Sequence, residues 1–196
     1  MTTTPREDEA DAAMGRYAEG DDRAFQDVYR CVAERLRAFL LRQTRKPSVA
    51  DDLLQETLLR MHRARGSFER GARVLPWCYA IARNVHIDYV RQGAVRKERP
   101  ASDEEEGGAL AESNDADGEQ IVAARELADI VDRTLAALPP NQREAFILLR
   151  YEGLSVADAA AVLGATEGAV KLRAFHAYEA LREALGPEGP KKRGRK

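Results

Sequence analysis

Apolar residues recur at three- and four-residue spacing through two long blocks of the chain, roughly residues 20–92 and 121–186. This period is that of one face of an amphipathic α-helix. No segment shows the strict alternation of apolar and polar residues that a half-buried strand requires, and β-branched residues do not cluster. The pattern therefore predicts an all-α protein built from two small helical domains.

The first block begins with two predicted helices. The first helix follows a cap at Asp21 or Asp22, and the second begins at Ser48, where Ser48 and Asp51 form a capping box. The apolar faces contain Phe25, Val28, Tyr29, Val32, Leu36, Phe39 and Leu40 in the first helix, and Leu53, Leu54, Thr57, Leu58 and Met61 in the second. Both faces are wide enough to pack against a further helix.

The third helix follows a loop over residues 66–74, begins at about Pro76 and ends at about Arg91. At ~100° per residue its core face contains Cys78, Ile81, Ala82, Val85 and Tyr89. Two outer stripes contain Trp77, Asn84, Asp88 and Arg91 in one, and Tyr79, Arg83 and His86 in the other. Such aromatic, amide and guanidinium groups suit nucleic acid, where bases stack on rings and phosphates pair with Arg. The alternative is a core position for Trp77 and a structural hydrogen-bond cluster for the polar residues.

The second block predicts two amphipathic helices, over residues 121–138 and 141–151, followed by a helix-turn-helix motif. The signature residues of the motif are Ser155 and Asp158 as a capping box, Ala160 at the helix crossing, Gly164 in the turn, Thr166 as the next cap, and Val170 and Ala174 toward the core. The spacing favours DNA binding, and the alternative is an ordinary helical hairpin.

Charge is segregated along the chain although its net value is only −2. Residues 100–120 carry eight Asp or Glu and no Lys or Arg, whereas the segments before and after them carry net charges of +4 and +2. Because the acidic segment has no periodic apolar face, burial cannot offset its ordering entropy, and we predict a flexible linker. The predicted organisation is a disordered N-terminus (1–13), a first domain (14–92), the linker (93–120), a second domain (121–186) and a basic tail (187–196).

Composition and motifs argue against a membrane protein, a disulfide scaffold and an enzyme. No apolar run approaches the ~18 residues of a membrane helix, and the acidic start lacks the apolar segment of a secretory signal. Cys31 and Cys78 are too few for a disulfide scaffold, so a reducing cytosol is expected. The histidines, His62, His86 and His176, form no metal or triad motif. We expect no catalytic residue, metal ion or cofactor.

Three stretches carry a resemblance to a known family. They are Asp51-Asp-Leu-Leu-Gln-Glu-Thr-Leu-Leu-Arg60, Trp77-Cys-Tyr-Ala-Ile-Ala-Arg-Asn-Val-His-Ile-Asp-Tyr-Val-Arg91, and Leu138-Pro-Pro-Asn-Gln-Arg-Glu-Ala-Phe-Ile-Leu-Leu-Arg150 continued by Glu152-Gly-Leu-Ser155. In this order, and across both blocks, the chain resembles the extracytoplasmic-function (ECF) group of the sigma-70 family of bacterial RNA polymerase sigma factors. The resemblance implies a dissociable promoter-specificity subunit that recruits core polymerase, recognises −35 and −10 elements and helps to melt DNA.

The resemblance implies a polymerase-binding site on the polar side of the second helix. Its residues would be Asp51, Asp52, Leu53, Gln55 and Glu56, which would meet the clamp helices of the largest catalytic subunit. Acidic groups facing Arg-rich helices would contribute specificity and on-rate more than raw affinity. The alternative for the two Asp is that the helix dipole favours negative charge in the first turn.

The resemblance also implies that the third helix and the loop before it bind the −10 element as it melts. The residues would be Phe68, Arg73, Trp77, Arg83, Asn84, Asp88 and Arg91. An extruded base needs a pocket, because binding must recover the few kcal/mol that unstacking costs. Phe68 is either a wall of this pocket or an anchor in the core.

The helix that begins at Thr166 would enter the major groove at the −35 element. The residues of this site would be Ser155, Thr166, Glu167, Lys171, Leu172, Arg173, Phe175 and His176. The chain departs from the family here, since His176 and Tyr178 stand where two arginines are typical. Fewer cations predict a shallower salt dependence, and apolar contacts with thymine methyls predict an unusual −35 preference.

The implied partners are core RNA polymerase, through its clamp helices and the flap of its second-largest subunit, and promoter DNA. The protein would work in the bacterial cytoplasm, on the nucleoid when bound to polymerase. An anti-sigma factor is a further candidate partner, for which apolar surface at Leu172 and Phe175 would be suitable.

Several alternatives stay open at this point. The acidic linker is either a phosphate mimic in the nucleic-acid channel of polymerase or a solvating spacer, and the basic tail either adds phosphate contacts or is dispensable. A stand-alone helix-turn-helix regulator would explain only the second block. A structural helical adaptor would leave the turn at Gly164 unexplained.

Overall fold

The computed structural model describes residues 5–97 and 118–186, and the regular structure in these ranges is entirely helical. The elements are α1 (Pro5–Ala18), α2 (Ala24–Thr44), α3 (Pro47–Ala64), a 3-10 turn (Arg65–Ser67), α4 (Val74–Lys97), α5 (Gly118–Ala137), α6 (Pro140–Arg150), α7 (Val156–Leu163) and α8 (Glu167–Leu185). The chain divides into two compact units, with α1–α4 in the first and α5, α6, most of α7 and α8 in the second. The predicted all-α class is confirmed.

The predicted disordered N-terminus (1–13) is wrong for the residues that the structure describes, because α1 is part of the first unit. Its buried face consists of Ala10, Ala13, Met14 and Tyr17. The Asp11 carboxylate accepts a hydrogen bond from the first backbone N–H of α4, at Val74, over 2.7 Å, and burial raises the pKa of Asp11. Acidic composition concealed this helix, since only two large apolar residues, Met14 and Tyr17, lie on its buried face.

The predicted caps of α2 and α3 are also wrong. Arg23 occupies the cap of α2, and Asp21 only accepts the N–H of Arg23, over 3.1 Å. Helix α3 begins at Pro47, whose ring presets a helical φ, so Ser48 lies inside the first turn and makes no capping box. Asp51 instead pairs with Arg37 of α2.

Helix α4 is rotated relative to its predicted core face. Cys78, Ala82 and Val85 are buried as predicted, but Tyr79 and His86 are buried as well, and Tyr89 is 41% exposed. The reason is that α4 packs against α1, α2 and α3 together, which buries a wider arc than one helix partner would. The Tyr79 ring meets Phe39 of α2 edge-on at 5.3 Å.

The ends of α4 and α5 differ from the predicted boundaries. Helix α4 starts at Val74 and continues to Lys97, past the predicted end at Arg91, and α5 begins at Gly118. Both helices therefore extend into the predicted linker (93–120). The rest of that linker and the basic tail (187–196) lie outside the described residues.

The second unit has a small apolar core and the predicted helix-turn-helix. The core contains Leu135, Phe146, Ala177 and Leu181, with Val131 and Leu138 packed against it. The Asp158 N–H donates to Ser155 Oγ over 2.9 Å, and the Ser155 hydroxyl donates to Asp158 Oδ2 over 2.6 Å. Thr166 caps α8 by accepting the Ala169 N–H. Gly164 has a φ of 58°, which confirms the predicted turn.

Replacing Gly164 with Ala is expected to lower the free energy of unfolding by about 1 kcal/mol, because an L-residue is strained at positive φ. No atom outside the turn lies within 4 Å of the added Cβ, so backbone strain alone is tested. Guanidinium unfolding would measure the change. Gly168→Ala, within α8 and equally open, is the matched control and should stabilise the protein instead. Equal effects of the two substitutions would contradict the turn geometry.

Candidate functional site

The exposed face of α3 carries most of the residues predicted to bind polymerase. Asp52 and Gln55 are exposed, whereas Leu53 is buried in the core and cannot be contacted directly. Asp51 accepts hydrogen bonds from Arg37 Nε over 2.6 Å and from Arg37 Nη2 over 3.3 Å, and this hydrogen bonding lowers the pKa of Asp51. Asp52 and Gln55 are therefore the more accessible pair for a partner molecule.

Glu56, the fifth of these residues, takes part in an ion-pair network that the sequence did not suggest. Arg60, one turn further along α3, donates from Nε to Glu56 over 2.7 Å. The same guanidinium donates from Nη1 to Asp88 of α4, also over 2.7 Å. These hydrogen bonds raise the pKa of Arg60. The network links a residue predicted to bind polymerase to one predicted to bind the −10 element.

An apolar groove of about 470 Å³ borders the polar face of α3. It is lined by Tyr17, Asp22, Phe25, Tyr29, Gln55, Leu58, Leu59 and His62. Tyr29, predicted to face the core, is 45% exposed there, and Leu59 is 42% exposed. The consecutive Leu58 and Leu59 were the available signal, since neighbouring residues on a helix point about 100° apart and only a wide buried arc covers both.

The outer face of α4 presents some of the residues predicted for the −10 element. Asn84 and Arg91 are exposed, and Asp88, bonded to Arg60, is partly exposed between them. The spacing of four and three residues places these three side chains along one stripe of the helix. Arg83 is partly buried on a neighbouring stripe.

The loop before α4 supports this face from the core. Phe68 is 7% exposed and meets Trp77 edge-on at 5.4 Å, so of the two alternatives the structure favours the core anchor. Trp77 itself remains partly exposed. Arg73 forms an ion pair with Glu7 of α1 at 3.5 Å, which ties the loop to the N-terminal helix.

Helix α8 presents a surface that is more apolar than cationic. Leu172, Phe175 and Tyr178 are 57%, 52% and 49% exposed, respectively. Lys171 forms an ion pair with Glu167 at 3.6 Å, which offsets its charge. Among the other residues predicted for the −35 element, Thr166 and His176 are exposed, whereas Ser155 and Arg173 are partly buried. The predicted site residues of α8 thus lie together on one helix, with Ser155 at the start of α7.

Tyr178 has a structural contact that its place in the sequence pattern does not reveal. Its ring packs edge-on against Phe146 of α6 at 5.1 Å. An arginine at this position would lack that contact. The aromatic residue therefore contributes to joining α8 to α6.

The described residues were also compared with what a metal site, a reactive thiol and a membrane-spanning helix require. No group of three His, Cys, Asp or Glu side chains is placed to hold a metal ion within residues 5–97 and 118–186. Cys78 is buried, and burial raises the pKa of its thiol. None of the described helices combines the length and the hydropathy needed to cross a bilayer.

Comparison with known proteins matches both units. The family model of sigma-70 region 2 matches residues 28–96, and the family model of sigma-70 region 4 matches residues 128–181. RNA polymerase sigma factor CarQ of Myxococcus xanthus is 37% identical over 88% of this chain and 95% of its own length. ECF RNA polymerase sigma factor SigF of Caulobacter vibrioides is 34% identical over 93% of this chain and 97% of its own.

Solved structures show the same fold. The sigma factor RpoE from Bartonella quintana, determined in complex with the anti-sigma factor NepR, superposes with a TM-score of 0.70 at 28% identity over 84% of this chain and 98% of that chain. CnrH, determined in complex with the cytosolic domain of CnrY, has a TM-score of 0.67 at 24% identity over 90% of this chain and 97% of that chain, and it supports the fold alone.

Proposed function

The chain belongs to the sigma-70 family, in its extracytoplasmic-function group, and we propose that α3 binds core RNA polymerase while α4 and α8 bind promoter DNA. It is a promoter-specificity subunit for transcription initiation. Sigma factors are non-catalytic subunits, and we propose the same of this chain. The observation that carries the assignment of sites is the exposed pair Asp52 and Gln55 on α3, within the segment that matches region 2.

The polymerase-binding site consists of Asp51, Asp52, Gln55 and Glu56, with Leu53 holding the helix to the core. The clamp helices of the largest catalytic subunit would supply cationic partners for these carboxylates. Asp52 is the most accessible of the three acids. The other two already form ion pairs within the domain, Asp51 with Arg37 and Glu56 with Arg60. The second domain would contact the flap of the second-largest subunit.

The −10 site follows the exposed stripe of α4. Asn84 offers an amide edge for a base, Arg91 pairs with phosphate, and Trp77 provides an aromatic surface on which an unstacked base can lie. Phe68 acts through Trp77, since its ring fixes the indole from the core side. Arg73, ion-paired with Glu7, and Arg83 would complete the site beside this stripe.

The −35 site lies on α8, whose first turn is set by the Thr166 cap. Lys171 and Arg173 would pair with phosphates, and Glu167 can accept a hydrogen bond from a cytosine amine. Leu172 and Phe175 would contact thymine methyl groups, while His176 lies next to Phe175 on the same exposed surface. Ser155, at the start of α7, would contact the backbone of the duplex.

His176→Arg is expected to steepen the salt dependence of promoter binding, with a slope of log K against log[salt] that is larger by about 1. The reason is that one more phosphate contact releases about one more counterion. Binding of holoenzyme to a duplex promoter at several salt concentrations would measure the slope. Ala184→Arg, exposed two turns further along α8, is the control for an added charge. An unchanged slope in His176→Arg would count against placing this face in the groove.

An anti-sigma factor is a further proposed partner. Support comes from the exposed apolar residues of α8 and from the groove beside α3, since large exposed apolar patches mark protein-binding surfaces. The relative RpoE was itself determined with an anti-sigma factor bound. We propose that the free sigma factor works in the bacterial cytoplasm and becomes associated with the nucleoid when it is bound to polymerase.

Reconstitution with core polymerase tests the proposed function. The purified protein is mixed with bacterial core polymerase, and co-elution and promoter-dependent run-off transcription are followed. Co-elution together with transcripts that start at defined sites supports the proposal. Failure to bind core polymerase, combined with tight binding to a duplex site by the protein alone, would instead indicate a stand-alone helix-turn-helix regulator.

A further inference from the structure

The side chain of Arg60 connects the two proposed sites of the first domain, because it forms hydrogen bonds to one residue of each site. Its Nε donates to Glu56, on the polymerase-binding face of α3, and its Nη1 donates to Asp88, on the −10-binding face of α4, each over 2.7 Å. Asp88 lies 28 residues further along the chain. Arg60 is the last residue of the Asp51–Arg60 stretch, but no spacing along the sequence predicts its bond to Asp88, because the link exists only where α3 packs against α4.

We propose that Arg60 is a positioning residue that couples the binding of core polymerase at Glu56 to the binding of the −10 strand beside Asp88. This inference rests on the proposed function of α3 and α4. In the free protein one guanidinium is shared between two carboxylates, so the group has a net negative charge on the side where an anionic strand would bind.

The direction of the coupling follows from this charge balance. A cationic side chain of polymerase at Glu56 competes with Arg60 for the carboxylate of Glu56. The guanidinium charge then acts more fully on Asp88, and the repulsion between Asp88 and the phosphates of the strand falls. Core polymerase binding should therefore strengthen strand binding, and by reciprocity the strand should strengthen core binding by the same factor.

The geometry of the guanidinium distinguishes this role from that of a simple positive charge. Nε and Nη1 are separate donors held in one plane, so the group bonds both carboxylates at once. The ammonium of lysine is a compact point charge on a flexible stem. Arg60→Lys should keep most of the charge and still lose much of the coupling. The three side chains are between 36% and 42% exposed, so the coupling should be modest.

The test measures the affinity of the sigma factor for core polymerase with and without saturating single-stranded DNA. The probe is the non-template strand of the −10 element from a promoter that the wild-type holoenzyme transcribes. The ratio of the two dissociation constants is the coupling factor, and we expect roughly five-fold in the wild type. In Arg60→Gln the factor should fall to about 1 on the same reasoning. Arg63→Gln, exposed on the same helix, is the control that should keep the wild-type factor.

The outcomes separate this inference from the proposed function. A wild-type protein that fails to bind core polymerase, or a holoenzyme that does not bind the strand, contradicts the proposed function itself. A wild-type coupling factor of about 1 contradicts the inference alone. A coupling factor in Arg60→Gln equal to that of the wild type also overturns it, as does a loss of core affinity with the coupling factor unchanged.

A second variant keeps the test valid if Arg60→Gln does not fold, which circular dichroism would reveal. Asp88→Asn removes the negative charge on α4 and leaves the Arg60 pair with Glu56 in place. It should also bring the coupling factor to about 1. Where both variants fold, the double variant should lose no more coupling than either single one, because the two residues act as one unit. Additive losses would contradict the inference.

Discussion

The double substitution Asp52→Arg and Gln55→Ala is expected to abolish co-elution with core polymerase and, with it, run-off transcription from specific start sites. Both side chains are exposed on α3, in the segment that matches sigma-70 region 2. Reversing the charge of Asp52 would place an arginine opposite a cationic side chain of the clamp helices. Such like-charge repulsion costs several kcal/mol at an interface. We therefore expect a loss of affinity of about 100-fold or more, measured by titrating labelled sigma factor with core polymerase.

A matched control separates this effect from a general change of charge. Glu34→Arg reverses an exposed acid of α2 that lines a different pocket, together with Arg30 and Cys31. This variant should bind core polymerase as the wild type does. Both variants should unfold at the wild-type temperature, because they alter exposed side chains. Wild-type co-elution of the α3 variant would show that this face does not carry the polymerase interface.

Deletion of residues 1–18 is expected to unfold the first domain, although the composition of residues 1–13 predicts disorder. The deletion removes α1, whose Met14 and Tyr17 are at most 2% exposed, and uncovers the surfaces of α2 and α4 beneath it. Met14→Ala alone should cost about 2–5 kcal/mol, comparable to a large share of the stability of a small domain. Thermal unfolding followed by circular dichroism, with guanidinium titration of Met14→Ala, would measure both effects.

Deletion of residues 1–4 is the control, because it leaves α1 from Pro5 onward intact. It should leave the unfolding temperature close to that of the wild type. Glu9→Ala, at an exposed position of the same helix, should likewise change stability little. If the deletion of residues 1–18 unfolded like the wild type, α1 would be dispensable, and the burial of Met14 would not reflect a stabilising contact.

The sequence by itself determined the all-α class, the helix-turn-helix and the order of the three family motifs. These features depend on local signals. The Ser155 and Asp158 cap, the turn at Gly164 and the cap at Thr166 are each satisfied by atoms within a few residues, so spacing alone predicts them correctly. The family resemblance likewise uses contiguous stretches, and the matches to regions 2 and 4 confirm it.

Only the tertiary structure decided which faces of the helices are buried. The burial of Tyr79 and His86 depends on α4 having three neighbours rather than one, and no helical period encodes the number of neighbours. The exposure of Tyr29 and the core position of Phe68 also depend on how the helices pack and not on a helical period. The sequence pattern does not predict helix α1, because its small buried face is recognisable only once the surfaces of α2 and α4 against which it packs are known.

The partners of charged groups were likewise decided by packing. Asp51, expected to cap its own helix, pairs with Arg37 of α2, and Asp88, expected to face nucleic acid, is bonded to Arg60 of α3. Each pair joins residues that are distant in the chain and meet only when two helices pack. Local pattern therefore determines which elements form, whereas the pairing of their polar side chains is a property of the assembled domain.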